Sequence, residues 1–228
     1  MNVSPASVSE ILDLLEQNDG LRHRLLEVLQ TAAQRPKLSY EAFLEWADED
    51  TRAEWVDGEI IMTSPASFEH QEIVRFLIST LGTFVEVHQL GVVLSAPFQM
   101  KLQRSGREPD VLFVRDEHRD RLKPTYLGGP ADLVIEVVSP ESVSRDRGEK
   151  FVEYEQAGIE EYWLIDPRRK VAECYRLDEH GHYQTVLSGE TGVFHSAVVP
   201  SFWIRLEWFW QLPLVLDVLR ELKVIRET

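Results

Sequence analysis

The sequence predicts an α/β fold, and three observations support this prediction. Apolar runs of strand length occur at residues 111–114, 133–138 and 162–165. A helical pattern between the second and third runs, from about Val143 to Ala157, predicts parallel strands joined by a right-handed crossover. A longer helix is predicted upstream, from Ser67 to about His88, with apolar side chains on one face.

Helices are predicted at both ends of the chain. Two short amphipathic helices, Ser7 to Gln17 and Leu21 to Gln34, precede Arg35-Pro36. Ser39 then provides a helix-capping hydroxyl, and Pro213 begins a last helix. We therefore divide the chain into an N-terminal helical extension (1–36), a main domain (37–210) and a C-terminal helix (211–228).

The remaining elements follow from turn residues and alternation. Asp57-Gly58 predicts a turn between two strands within Trp55 to Met62, and Gly158 ends the helix before the 162–165 strand. Further strands are predicted at 92–94 and 98–102, with a hairpin at 171–177 and 183–187. The stretch from Arg115 to Pro130 is polar and is predicted to be a loop.

Composition restricts the classes of function. The net charge of -15 makes indiscriminate, charge-driven binding to nucleic acid less favourable. Residues 101–150 are locally neutral, and their basic side chains either gather on one face to contact phosphates or belong to a mixed solvent surface. Those basic residues are Lys101, Arg104, Arg107, Arg115, Arg119, Arg121, Lys123, Arg145, Arg147 and Lys150.

No apolar run approaches the roughly 20 residues that span a bilayer, and the first residues lack the pattern of a signal peptide. We therefore expect a cytoplasmic protein without a membrane partner. The single cysteine, Cys174, lies in an alternating segment and is expected to be a small buried side chain.

Two acidic residues stand out as site candidates. Glu136 interrupts an apolar strand, and Asp110 follows Pro109 immediately before another. A buried carboxylate costs several kcal/mol unless a cation or hydrogen bonds compensate it, so the pair suggests a shared cation. The alternatives are an exposed strand edge for Glu136 and an ordinary turn for Asp110.

A family resemblance is carried by several segments in a fixed order. They are Asp57-Gly58-Glu59, Pro65 to His70, Arg107 to Asp110, Asp132 to Pro140, Asp146 and Lys150, Tyr154, Gly158, and Glu161 to Pro167. Together they resemble the Uma-two family of putative restriction endonucleases, within the PD-(D/E)xK nuclease superfamily. The resemblance covers roughly positions 40 to 205, and the ordered combination is more specific than any single motif.

The resemblance implies a restriction-endonuclease-like core, a small mixed β-sheet flanked by helices. It implies a metal-dependent endonuclease acting on DNA, with Asp110 and Glu136 as ligands of magnesium or manganese. Val138 stands where the spacing of the motif would place a lysine, so the substitute is sought in the following helix, at Lys150. The alternative for Lys150 is a surface pair with Asp146 at i,i+4.

Other residues and functions remain open. Glu54, Glu59, His70 and Asp146 are supporting candidates, although a solvated helix start also accounts for His70. Tyr154 and Trp163 fit core positions. A nuclease fold without turnover that binds or regulates, and a dimeric interaction protein, are the alternative functions, and a homodimer is also compatible with cutting two strands. Zinc-site, phosphate-loop and nucleophile-elbow motifs are absent from the sequence.

Overall fold

The structure, a computed structural model, describes residues 18–24, 37–48, 51–139 and 142–225. The chain divides into two units, residues 1–38 and 39–228. In the first unit, residues 19–24 are helical, and the side chain of Asn18 accepts a hydrogen bond from the backbone N–H of Leu21 at 3.1 Å. The predicted helix from Ser7 to Gln17, and most of that from Leu21 to Gln34, lie outside the described residues.

The second unit contains the other helices and strands of the described residues. Its helices are α1 (Tyr40–Trp46), α2 (Phe68–Leu77), α3 (Thr83–Val87), α4 (Lys150–Ala157), α5 (Trp208–Gln211) and α6 (Val215–Glu221), with π-helical turns at Ile78–Gly82 and Arg145–Glu149 and a 3-10 helix at Asp116–Arg121. Its strands are β1 (Ala53–Val56), β2 (Glu59–Met62), β3 (Gly91–Ser95), β4 (Gln99–Lys101), β5 (Ser105–Arg107), β6 (Val111–Arg115), β7 (Tyr126–Leu127), β8 (Leu133–Val137), β9 (Glu161–Asp166), β10 (Val171–Leu177), β11 (Tyr183–Gly189), β12 (Val193–His195) and β13 (Trp203–Arg205).

The larger sheet is mixed and has the strand order β11-β10-β9-β8-β6-β3. Strands β8 and β9 are parallel, as the strand-helix-strand pattern predicts, and the other neighbours are antiparallel. Alternate residues of the central strands enter two separate hydrophobic cores. Leu133 and Ile135 face one core, whereas Val134 and Val138 face the other, so Glu136 also points to the second face.

A second sheet, of order β2-β1-β5-β4-β7, carries further polar residues toward the same region. The predicted turn between β1 and β2 is present, with Asp57 at φ 51° and Gly58 at φ 88°. Positive φ at both positions is typical of a tight hairpin turn. Strand β5 was not predicted, and β7 lies within the stretch from Arg115 to Pro130 that was predicted to be a loop.

The helices that frame the site begin and end as their capping residues indicate. The hydroxyl of Ser67 accepts a hydrogen bond from the N–H of His70 at 3.2 Å, and α2, a π-helical turn and α3 continue to Val87. Helix α4 ends at Gly158, whose φ of 78° favours glycine. Cys174 is buried in β10 as a free thiol, as predicted. Within the described ranges, no helix is both long and apolar enough to cross a membrane.

Candidate active site

Asp110 and Glu136 lie side by side at one end of the larger sheet. Strands β6 and β8 pair with Val111 opposite Ile135, so one further step along both strands brings Asp110 opposite Glu136. Asp110 Oδ2 accepts a 2.7 Å hydrogen bond from the backbone N–H of Val137, which connects the two strand ends directly. The antiparallel register therefore brings together two carboxylates that are 26 positions apart in sequence.

Lys150 reaches Glu136 from the first turn of α4. Its ammonium donates a hydrogen bond to Glu136 Oε1 at 2.9 Å and lies 3.5 Å from Asp146 Oδ1. Only 7% of the Lys150 side chain is exposed, and Asp146 is also buried. The alternative interpretation of Asp146 and Lys150 as a surface ion pair is therefore wrong, because both side chains belong to a buried cluster.

Glu54 of β1 supports this cluster from the second sheet. Its Oε1 lies 3.2 Å from the Lys150 ammonium and accepts a hydrogen bond from the backbone N–H of Glu108, also at 3.2 Å. Its Oε2 accepts a hydrogen bond from Arg107 at 3.0 Å, and both of these side chains are 2% exposed. Arg107 also donates to Glu153 of α4. This chain of ion pairs links both sheets and α4 behind the cleft.

His70 holds the outer side of Asp110. Its Nε2 lies 3.0 Å from Asp110 Oδ2, and the side chain is largely buried, contrary to the solvated helix start considered for it. Its Nδ1 is buried without a hydrogen-bond partner among the described residues. Burial lowers the pKa of His70, but the hydrogen bond and negative charge of Asp110 outweigh it and raise the pKa overall.

The remaining pKa shifts follow from burial and from the balance of charge. Burial raises the pKa of Glu136 to about 8. The positive charge of Lys150 lowers this pKa, whereas the negative charges of Asp146 and Asp110 raise it further. Burial alone would lower the pKa of Lys150, but Glu136, Glu54 and Asp146 raise it above its ordinary value. Burial opposes ionisation of Glu54, yet Lys150 and Arg107 lower its pKa. Lys150 is therefore held as a cation.

These side chains line a cleft of about 140 Å³. Five carboxylates, three cations and one histidine face it: Glu54, Glu108, Asp110, Glu136, Asp146, Arg52, Arg145, Lys150 and His70. Carboxylates thus outnumber permanent cations at the wall of the cleft. Burial raises the pKa of Glu136, Glu108 and Asp146, and a cation bound among these carboxylates would favour their ionised form.

The available oxygens fit a hard divalent ion. In the part of the chain that the structure describes, no hydrogen bond reaches Asp110 Oδ1 or Glu136 Oε2, while the other oxygen of each carboxylate is used. No group of three or more His, Cys, Asp and Glu side chains among the described residues forms a complete metal site. Magnesium needs only one or two carboxylates, since waters and substrate phosphate complete its octahedron.

The sequence-predicted residues fall into two groups. Asp110, Glu136, Lys150, Glu54, His70 and Asp146 all line the cleft. Glu59, in contrast, is an exposed residue of β2 next to the hairpin turn and is not among the residues that line it. Val138, two residues after Glu136, is buried in the hydrophobic core and contributes no charge.

One contact of the cluster was not predicted from the sequence. Tyr154 is fully buried, as its predicted core position requires, but its hydroxyl also donates a 2.7 Å hydrogen bond to Glu136 Oε1. Its spacing of four residues from Lys150 was an available signal, because residues at i and i+4 lie on the same face of a helix. Lys150 and Tyr154 together occupy Oε1 of Glu136.

Comparisons with known proteins agree with this architecture. A sequence model of the family described as Uma2, "Putative restriction endonuclease", matches residues 40–207. Among solved structures, the chain resembles a protein described as a putative nuclease belonging to DUF820 from Anabaena variabilis ATCC 29413. The TM-score is 0.65 at 15% sequence identity, covering 75% of this chain and 96% of that chain. No curated protein gives a significant match. The predicted restriction-endonuclease-like fold is therefore confirmed.

Proposed function

Because this chain belongs to the Uma2 family of putative restriction endonucleases, we propose that it is a metal-dependent endonuclease that hydrolyses DNA phosphodiester bonds. The observation that carries the proposal is the convergence of Asp110, Glu136 and Lys150 in one cleft. The two carboxylates, each with a free oxygen, can bind a cation. The buried ammonium beside them can bind an anion, so one site has both kinds of group. Phosphodiester hydrolysis requires both kinds of group.

Asp110 and Glu136 would hold magnesium or manganese through their unused oxygens. When bound, such an ion polarises a phosphate oxygen and lowers the pKa of a coordinated water. Strand β8 fixes both ligands, because Glu136 is part of it and the N–H of Val137 holds Asp110. His70 fixes Asp110 from the opposite side.

Lys150 contributes positive charge where negative charge develops. Its ammonium keeps its proton because three carboxylates surround it, namely those of Glu136, Glu54 and Asp146. An ammonium in this position stabilises the extra negative charge on the phosphate oxygens during attack by water. Burial strengthens this effect, since the charges interact in a low-dielectric environment.

Cleavage of DNA by site variants tests the proposal. Supercoiled plasmid and a linear duplex are incubated with the wild type, Asp110→Asn and Glu136→Gln in magnesium and in manganese, with RNA in parallel. The wild type should cut DNA, and both variants should lose cleavage while remaining folded by circular dichroism. Asp116→Asn, a change in an exposed carboxylate outside the cleft, should cut normally.

Two outcomes count against hydrolysis. Wild-type protein that binds DNA but cuts no form of it in either metal indicates a nuclease fold used for binding alone. If Glu136→Gln still cleaves DNA, Glu136 is not needed for hydrolysis and the active site lies elsewhere in the chain.

We also propose that the enzyme cuts duplex DNA as a homodimer, because two strands require two hydrolytic events and the described part of one chain supplies one cleft with these residues. Light scattering of the protein with a short duplex should give the mass of two chains per duplex. A mass of one chain per duplex, together with cleavage of both strands, would exclude this arrangement.

A further inference from the structure

We propose that Arg145 binds a phosphate of the substrate backbone next to the phosphate that is cut. This inference rests on the proposed nuclease function and adds a positioning contact to it. Arg145 lies in the π-helical turn Arg145–Glu149 and directly precedes Asp146, so the same short segment carries both side chains into the cleft.

Arg145 is a largely buried guanidinium whose donors are unused. Its side chain is 22% exposed, and its nearest carboxylate oxygen, Glu54 Oε2, lies 3.8 Å from NH1. This distance is too long for a hydrogen bond. Within the described residues, none of its five N–H groups has a hydrogen-bond partner. The guanidinium of Arg145 at the cleft wall can therefore donate hydrogen bonds to the oxygen atoms of a bound ligand.

Neighbouring basic residues differ in this respect. Arg107 donates hydrogen bonds to Glu54 and Glu153, Arg115 to Asp132 and Glu160, and Arg147 to Glu173. Such pairs neutralise their own charge and leave little for a ligand. The basic residues of 101–150 therefore do not form one phosphate-binding face; instead Arg145 remains available inside the cleft.

The surroundings of Arg145 suit a phosphodiester backbone. The cleft also has Ser139, Ser142 and Thr63 in its walls, and Arg52 joins them before β1. A guanidinium fork matches the two free oxygens of a phosphodiester through paired hydrogen bonds. A protein with a net charge of -15 repels a polyanion, so cationic contacts within the cleft are needed to hold the strand against this repulsion.

The test separates binding from cleavage. Binding of a labelled duplex is measured by fluorescence anisotropy in calcium over a range of salt concentrations, and cleavage is measured in magnesium. Arg145→Gln should raise Kd and KM about tenfold, leave kcat within about twofold and lower the salt slope by about 1. Arg145→Lys should keep the salt slope and bind with intermediate affinity, since it retains charge without the fork. Arg119→Gln, in the exposed 3-10 helix, should match the wild type.

An unchanged Kd and salt slope in Arg145→Gln would overturn the inference, as would a wild type that does not bind the duplex. Wild-type protein that binds without cutting would defeat the proposed hydrolysis, while the Kd of Arg145→Gln would still decide this contact. Thermal unfolding shows whether Arg145→Gln is folded. If it is not, the inference is decided by the affinity of Arg145→Lys, which should be intermediate; a Kd equal to that of the wild type would overturn the inference.

Discussion

The ammonium of Lys150 lies 2.9 Å from Oε1 of Glu136, although the two residues are 14 positions apart and belong to different elements. The lysine comes from the first turn of α4 and the carboxylate from β8. Val138, two residues after Glu136 in the same strand region, is buried among apolar side chains and carries no charge. The following helix therefore supplies the positive charge that the strand lacks.

Replacing Lys150 by methionine should abolish most of the cleavage. The change removes the cation beside Glu136 but keeps a long side chain in the buried site. Loss of a preorganised charge at the reacting phosphate typically costs about 10²–10³ in kcat. The turnover rate of Lys150→Met on a linear duplex in magnesium is compared with that of Lys123→Met, in which the replaced lysine is exposed.

Thermal unfolding shows whether Lys150→Met is folded. A folded Lys150→Met variant that cuts as fast as Lys123→Met would exclude a catalytic part for Lys150.

Tyr154→Phe should weaken metal binding while leaving the fold intact. The change removes the hydrogen bond that the Tyr154 hydroxyl donates to Glu136 Oε1, and so loosens the orientation of this carboxylate. Loss of a group that orients a metal ligand typically lowers metal affinity by about 10–100-fold. Titration of cleavage rate against magnesium concentration measures the effect as a shift in the half-saturating concentration.

Tyr183→Phe is the matched control for this change. Tyr183 is also buried, and its hydroxyl donates a 2.9 Å hydrogen bond to the carbonyl of Ile159, away from the cleft. Both variants should lose about 1 kcal/mol of stability. If Tyr154→Phe and Tyr183→Phe have the same half-saturating magnesium concentration, Tyr154 has only a structural role.

The order of elements and the central pair of carboxylates could be predicted from the sequence. Apolar runs around a helix predict parallel strands, and an acidic residue within such a run needs a compensating partner. The parallel pairing of β8 with β9 agrees with this prediction. The parallel strands and the pair of carboxylates could be predicted because they depend on the local sequence pattern and on the free-energy cost of burying a charge.

The contacts that complete the cluster could not be predicted in the same way. Strand β5 has only three residues, Ser105–Arg107, including a glycine, so it carries no recognisable strand pattern. Its pairing with β1 nevertheless places Arg107 against Glu54. The exposed position of Glu59 in β2, outside the cleft, likewise depends on tertiary packing rather than on its acidic character.

Arg107→Met should destabilise the fold strongly. Arg107 and Glu54 are each 2% exposed, and loss of the guanidinium leaves the buried Glu54 carboxylate without the cation that donates to its Oε2. Breaking a buried ion pair from one side typically costs about 3–5 kcal/mol. Adding Glu54→Gln to this variant should recover part of the loss, because it removes the uncompensated charge.

Urea denaturation of the single and double variants measures both effects. Arg104→Met, which breaks an exposed ion pair with Asp57, should cost less than about 1 kcal/mol. If Arg107→Met loses no more unfolding free energy than Arg104→Met, the buried pair of Arg107 and Glu54 does not stabilise the fold as predicted.

Glu161 should make stability depend on pH. Its side chain is fully buried in β9 and accepts hydrogen bonds from Trp163 Nε1 at 2.9 Å and from the N–H of Ala197 at 2.8 Å. Burial nevertheless raises its pKa above the ordinary value of 4.5. The folded state therefore holds this proton more tightly than the unfolded chain, and unfolding free energy falls as pH rises from about 4.5 through the raised pKa.

Glu161→Gln removes this titration, so the stability advantage of the wild type over the variant should be largest below pH 4.5 and should decrease toward neutral pH. Denaturant unfolding of both proteins across this range measures the difference, and Glu179→Gln, at an exposed turn, should show no such trend. A difference between wild type and Glu161→Gln that grows with pH would mean that the folded state favours the ionised carboxylate. The hydrogen bonds from Trp163 and Ala197 would then outweigh burial.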